Sequence, residues 1–286
     1  MGERLIEKAP AKVNLTLRVL GRREDGLHEI ESLVAFADLA DTLTLETGGK
    51  LALEVSGPFA AAAGPIKNNL VIKAVAELGA RVGGLRSGRF ILDKRIPAAA
   101  GLGGGSSDAA AALRLLARVN GIAADDARLA SAALMLGADV PVCLDPRARV
   151  MAGIGEVLFE PLKLARVPAL LVNPGVAVAT SEVFAAFKPE DRTKKFLLDP
   201  PHDPEPLIEF LASYANDLSR AAISRAPAIA DVLVALRGMP GCRLARMSGS
   251  GATCYGLFAS AGEAAAAGKR LSVEHENWWI CPVTLG

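Results

Sequence analysis

Val13, Leu15, Leu17 and Val19 alternate with Lys12, Asn14, Thr16 and Arg18, the period of two expected of a half-buried strand. Lys12 and Asn14 therefore share one face, which on such a strand ordinarily meets solvent. Asp25-Gly26 is a turn signal, an apolar strand follows through Leu33, Val34 and Phe36, and alternation returns at residues 43–46 and 51–55. The period then lengthens. Val71, Ala74, Val75 and Leu78 predict a helix opened at residues 68–70 and ended near Gly79 or Gly83. Residues 90–96 are strand-like, and Ala109, Leu113, Leu116 and Ala117 recur at helical spacing. A further helix over residues 129–136 stops at Gly137, and Asp139 follows at once, where an Asp is most often a turn or cap residue.

In the second half, residues 170–184 predict a strand, a turn and a helix capped by Thr180 or Ser181. Residues 188–206, rich in Pro, Asp and Lys, are expected as an exposed loop. A second glycine-rich turn at residues 247–253 runs into a strand, and Trp278 and Trp279 are expected as packing residues of a last strand. Two lobes are expected, residues 1–160 and residues 161–286.

The chain has 286 residues and 51% hydrophobic content, ample for a globular core. Lys and Arg total 32 against 31 Asp and Glu, and neither sign is blocked, so no nucleic-acid footprint is expected. No signal peptide, myristoylation pattern or membrane-spanning apolar run is found. Cys143, Cys242, Cys254 and Cys281 are widely separated and form no metal-ligand pairs. A cytoplasmic location is the expectation, and the sequence sets no oligomeric state.

The densest chemical signal lies between a predicted strand and a predicted helix. It reads Pro97-Ala98-Ala99-Ala100-Gly101-Leu102-Gly103-Gly104-Gly105-Ser106-Ser107-Asp108. The glycines let the backbone approach a ligand and turn N–H groups toward bound oxygens, and Ser106 or Ser107 is expected to cap the helix, whose N-terminus attracts anions. Asp108 is expected as a capping residue in the first turn. The segment has neither the Lys-Ser/Thr of a P-loop nor the third glycine of a dinucleotide turn.

Five segments occur in order: residues 9–15, Asp25-Gly26-Leu27-His28-Glu29-Ile30, residues 97–108, Leu136-Gly137-Ala138-Asp139-Val140-Pro141, and residues 247–254. Together they resemble the GHMP small-molecule kinases, and they span the chain from the first strand to near Phe258. The resemblance implies an α+β, two-lobed GHMP kinase fold with ATP and substrate bound in the inter-lobe cleft. It implies ATP as co-substrate with Mg²⁺, and residues 97–107 as the triphosphate cradle. The Asp25–Glu29 signature implies a small-molecule substrate, a cytidine diphosphate-linked methylerythritol. That alcohol would be phosphorylated at its 2-hydroxyl by direct in-line transfer, in the non-mevalonate route to isoprenoid precursors.

Such a transfer needs the alcohol aligned with the γ-phosphorus and relieved of its proton while phosphate charge is offset. The resemblance gives Asp139 the role of base and puts Lys12 beside it to polarise the hydroxyl. Asn14 would bond the erythritol portion or the Asp, and His28 would contact the cytidine end. Phe184 would wall one face of the cytosine and Thr180 would add a hydrogen bond. Leu27 stands where the family usually has an aromatic, so stacking there would weaken to apolar contact. Mg²⁺ would be held mainly by phosphates and water, with Ser107 a candidate ligand; no protein metal site is assigned. Another kinase of the superfamily need not keep the Asp25–Glu29 signature, and a non-catalytic nucleotide-binding protein would have no use for both Lys12 and Asp139.

Overall fold

The structure, a computed structural model, describes residues 2–188 and 200–286. Strands β1 (Arg4–Asn14), β2 (Arg18–Arg22), β3 (His28–Thr47) and β4 (Ala52–Ser56) come first. Helix α1 (Leu70–Gly79), strand β5 (Gly88–Asp93) and helices α2 (Gly104–Asn120), α3 (Ala127–Leu136) and α4 (Val140–Leu144) follow. Next come β6 (Arg149–Gly153), β7 (Val157–Leu158), β8 (Val167–Asn173), α5 (Thr180–Ala186), α6 (Pro204–Ala212), α7 (Ser219–Arg225) and α8 (Ala228–Arg237). The chain ends with β9 (Cys242–Met247), β10 (Cys254–Phe258), α9 (Ala261–Glu274) and β11 (Trp279–Leu285). Most of the loop expected at residues 188–206 lies outside the described residues, and its last residues are already the start of α6.

These elements form two compact units, each assembled from separated stretches of chain. One comprises residues 1–12, 39–98 and 103–146, and the other residues 13–38, 99–102 and 147–286.

In the first unit the C-terminal part of β3 pairs antiparallel with β5, from Thr42 opposite Asp93 to Thr47 opposite Gly88, and β4 pairs parallel with β5. Leu43, Leu45, Phe90 and Leu92 are fully buried. Helix α2 packs with α1, α3 and α4. Ala109 through Leu113 are fully buried on consecutive positions, because small side chains let neighbouring helices cover α2 on nearly every side. Leu113, Leu115 and Leu116, each buried, contribute about 1.5–3 kcal/mol apiece by leaving water. The helix termini follow the sequence: the Asn69 side chain accepts from Val71 N at the start of α1, and Gly121, φ 63°, closes α2.

In the second unit β8 pairs antiparallel with both β11 and β10, and β10 with β9. The N-terminal part of β3 pairs with β2 and β6, and Leu285 of β11 sits opposite Ala37. Val172, Val183, Leu218, Ile229, Leu236 and Phe258 belong to its core. The Tyr255 hydroxyl and the Arg246 guanidinium both donate to Leu15 O, at 2.7 and 2.8 Å, which fixes the backbone immediately after Asn14.

The expected half-wet strand at residues 12–19 is corrected. Lys12, Asn14, Thr16 and Arg18 are buried along with the apolar positions between them. A buried polar group is costly unless bonded, and partners are present: Asp139 for Lys12, Ser32 for the Asn14 amide nitrogen, Leu33 N for the Thr16 hydroxyl, and Glu31 for Arg18.

Candidate active site

The first unit brings Lys12 and Asp139 together. Lys12 is the antepenultimate residue of β1, and its Nζ donates to Asp139 Oδ1 at 2.6 Å. The two ends differ in exposure: the Lys12 side chain is 4% exposed and that of Asp139 38%. The ammonium is thus buried against a carboxylate that still reaches solvent. Asp139 occupies the N-cap position of α4, yet its side chain makes no capping bond, so the carboxylate is not committed to the helix. Arg114 ties the elements that carry the pair. From α2 it donates to Lys8 O on β1 and to Cys143 O on α4, both at 2.7 Å, and pairs with Glu7 at 3.2 Å.

The glycine segment ends against the same pair. Gly103 has φ 61° and caps α2 with no side chain; a Cβ there would lie 3.3 Å from Lys12 Cβ and Cε. The caps expected of Ser106 and Ser107 are therefore corrected: the left-handed turn at Gly103 starts the helix at Gly104, placing both serines inside the first turn. Ser107 N bonds to Gly103 O and Ser107 Oγ donates to Pro10 O at 2.6 Å, tying the helix start to β1. The first N–H groups of an α-helix lack intrahelical partners, and they form the positive end of the α2 dipole, an arrangement suited to an anion.

Asp108 is likewise no cap. It is buried, and its Oδ2 accepts from Lys94 Nζ at 2.7 Å, while Lys94 also donates to Asp41. Burial pushes the Asp108 carboxyl up to about 7, with the Asp41 charge adding and the Lys94 charge opposing. Burial lowers the Lys94 ammonium, but Asp108 and Asp41 together hold it above its ordinary value. In sequence, Lys94 and Asp41 are single charged residues with no motif linking them to Asp108, so neither carries a signal of this triad.

The middle of the glycine segment, residues 99–102, belongs to the second unit, where the second glycine-rich turn holds it. Thr253 N donates to Ala100 O at 3.1 Å and Ser248 Oγ to Gly101 O at 3.0 Å. Gly101 has φ 75°, and a Cβ on it would come within 2.7 Å of Ser248 O and Gly251 O. Ala98, Ala99 and Gly105 are exposed, Pro97 is half-buried, and Leu102 is buried. Asn14 N donates to Ser248 Oγ at 3.1 Å, and Asn14 Nδ2 to Ser32 Oγ at 2.7 Å. Asn216 Nδ2 bonds Met247 O and Gly249 O at 2.9 and 2.7 Å, bracing the turn from below.

In that unit the His28 ring stacks on Phe184 at 4.9 Å and 29°, with Phe187 edge-on at 6.3 Å. Burial, with the Arg22 charge adding, lowers the His28 pKa and so favours the neutral ring. Thr180 is the first residue of α5 rather than its cap, and its hydroxyl shares a 2.8 Å hydrogen bond with Ser250. Leu27 is 48% exposed. Among the described residues no group of three His, Cys, Asp or Glu could hold a metal ion, and no helix is long and apolar enough to cross a membrane.

Two family patterns match the chain: GHMP kinases N terminal domain over residues 69–145 and GHMP kinases C terminal over residues 193–275. The chain belongs to the GHMP kinases. It is 54% identical over 98% of its length to the 4-diphosphocytidyl-2-C-methyl-D-erythritol kinase of Methylobacterium radiotolerans, covering 99% of that protein. It is 53% identical to the kinase of the same name from Rhodopseudomonas palustris, covering 99% of this chain and 95% of that one. A crystal structure of 4-(cytidine 5'-diphospho)-2C-methyl-D-erythritol kinase matches with TM-score 0.79 and 38% identity over 99% of each chain. A Leishmania major mevalonate kinase shares the fold, with TM-score 0.68 at 16% identity over 99% of this chain and 98% of that one. This GHMP kinase is an α+β small-molecule kinase, and ATP is the co-substrate its family implies.

Proposed function

We propose that this kinase transfers the γ-phosphoryl group of ATP to the 2-hydroxyl of 4-diphosphocytidyl-2-C-methyl-D-erythritol, in the cytoplasm, as a step of non-mevalonate isoprenoid precursor synthesis. Relatives named for that kinase at more than 50% identity support the substrate. The observation that carries the chemistry is the buried Lys12 ammonium bonded to a part-exposed Asp139 carboxylate.

Asp139 accepts the hydroxyl proton through its solvent-reaching carboxylate, and Lys12 fixes that carboxylate's position and draws electron density from the hydroxyl oxygen. The alcohol oxygen then attacks the γ-phosphorus in line with the departing β-phosphate oxygen. Residues 97–107 receive the triphosphate through backbone N–H groups and the α2 N-terminus. Asn14, two residues along β1 from Lys12 and so roughly 7 Å away, bonds the erythritol portion. His28, stacked on Phe184, meets the cytidine end with Thr180 and Leu27.

Mg²⁺ keeps several waters and takes only one or two protein groups beside substrate phosphates. Ser107, whose buried hydroxyl donates to Pro10 O, would offer only an oxygen lone pair, so phosphates and water would be the main ligands, and the ion would offset charge on the phosphate oxygens. Incubation with Mg-ATP and a panel of alcohols, including homoserine, mevalonate and the cytidine-linked methylerythritol, tests the reading. Phosphate gained by the cytidine-linked alcohol supports it; phosphate gained only by another alcohol contradicts it.

A further inference from the structure

Within the second unit, Ser32 has a single hydroxyl hydrogen and two neighbours. Its Oγ lies 2.5 Å from Thr16 O and 2.7 Å from the Asn14 carboxamide. A backbone carbonyl can only accept, so the hydrogen goes to Thr16 O, and Ser32 must accept from Asn14. The carboxamide atom facing Ser32 is therefore nitrogen, whatever the ambiguity between amide N and O in general. Asn14 Oδ1 is thereby turned the other way. It is buried and has no hydrogen-bond partner among the described residues, while the place where a Gly249 side chain would stand is 3.3 Å from it. The Asn14 backbone is fixed too, since its N–H goes to Ser248 Oγ, whose own hydrogen goes to Gly101 O.

We infer that Ser32 is a positioning residue that locks the Asn14 carboxamide with its oxygen as an unpaired buried acceptor, so that the site selects a hydroxyl donor on the alcohol. This rests on the proposed reading in which Asn14 contacts the substrate. A buried acceptor left unpaired is penalised, and a site built to bond a hydroxyl discriminates against ligands lacking it. The Ser32 hydroxyl already donates to Thr16 O and accepts from Asn14, so its effect passes through Asn14.

A double-mutant cycle of Ser32→Ala and Asn14→Ala tests this in the full chain, with kcat and KM measured for the alcohol and KM for ATP. Ser32→Ala alone lowers kcat/KM for the alcohol by about 10-fold or more and leaves the ATP KM within about 2-fold. In the Asn14→Ala background the same change costs less than about 2-fold, because two residues acting as one unit are not additive. Losses that multiply, or a Ser32→Ala enzyme equal to wild type, overturn the proposal. Should Ser32→Ala fail to fold, Ser32→Thr and Ser32→Cys replace it. The hydroxyl of the first keeps activity within about 3-fold and the weak thiol donor of the second does not; equal activities overturn the proposal. A wild-type enzyme inert toward the cytidine-linked alcohol would instead defeat the underlying substrate reading.

Discussion

Lys12 Nζ and Asp139 Oδ1 are 2.6 Å apart, with the lysine buried and the aspartate partly open to solvent. The asymmetry matters, because a buried ammonium cannot leave its partner without a large penalty, whereas the carboxylate keeps an oxygen for a second contact.

If the pair performs proton removal, Asp139→Asn lowers kcat by ~100-fold or more while ATP binding measured by calorimetry stays near wild type. Lys12→Ala lowers kcat comparably. A Lys12→Ala enzyme with raised KM and normal kcat would make the lysine a substrate anchor instead.

Arg114 joins the backbone of β1 to that of α4, so it sets the distance between the strand carrying Lys12 and the helix opened by Asp139. Arg114→Met keeps the aliphatic stem and removes the donors. The expected result is a kcat about 10-fold lower with little change in either KM, since small misplacements of reacting groups are costly. Unchanged kcat with only a lowered melting temperature would reduce Arg114 to a stabilising residue.

Much of this arrangement is legible in the sequence, and the failures share a cause. Periodicity gives α1 and α2, and the glycines give the segment between β5 and α2, because these are local preferences of the backbone; the single strand expected over residues 12–19 is instead broken, with β1 ending at Asn14 and β2 starting at Arg18. Alternation also puts Lys12 and Asn14 on one face. What it cannot give is that this face is buried, for that depends on Ser32, 18 residues away, and Asp139, 127 residues away. Lys94, Asp41 and Asp108 are missed for the same reason: each is an ordinary charged residue until the fold brings all three together. The serine caps fail on a local point, since Gly103 turns left-handed one residue before the helix and takes the capping position itself.

The glycine segment offers a contrast between neighbouring residues. Gly101 combines φ 75° with backbone oxygens 2.7 Å from any Cβ, so Gly101→Ala must displace the second glycine turn, at a cost of about 2 kcal/mol or more. Its KM for ATP is expected to rise at least 10-fold. Ala99 has φ 52° and is exposed; Ala99→Gly relieves about 1 kcal/mol of strain and loses a similar amount to unfolded-chain entropy. That variant keeps wild-type stability and activity. Equal damage from both substitutions would contradict the described contacts.

Asp108 makes stability depend on pH. With its carboxyl raised to about 7 by burial, the folded chain binds a proton between pH ~4 and 7 that the unfolded chain, with a carboxyl near its usual value, does not. This group therefore favours folding on the acid side of that window, and the contribution is lost as pH rises through 7. Asp108→Asn removes it, so urea midpoints measured from pH 5 to 8 should fall less with rising pH in the variant than in wild type. Parallel profiles would contradict the assignment.

The most direct measurement is the position of the new phosphate. Wild-type enzyme is incubated with Mg-ATP and 4-diphosphocytidyl-2-C-methyl-D-erythritol, and the product is examined by phosphorus and carbon-13 NMR, which reads coupling of phosphorus to the quaternary C2. A phosphomonoester coupled to the C2 position, formed in step with ADP and absent with Asp139→Asn, is the predicted result. ATP hydrolysis without a phosphorylated alcohol, or phosphate on another hydroxyl, would contradict it.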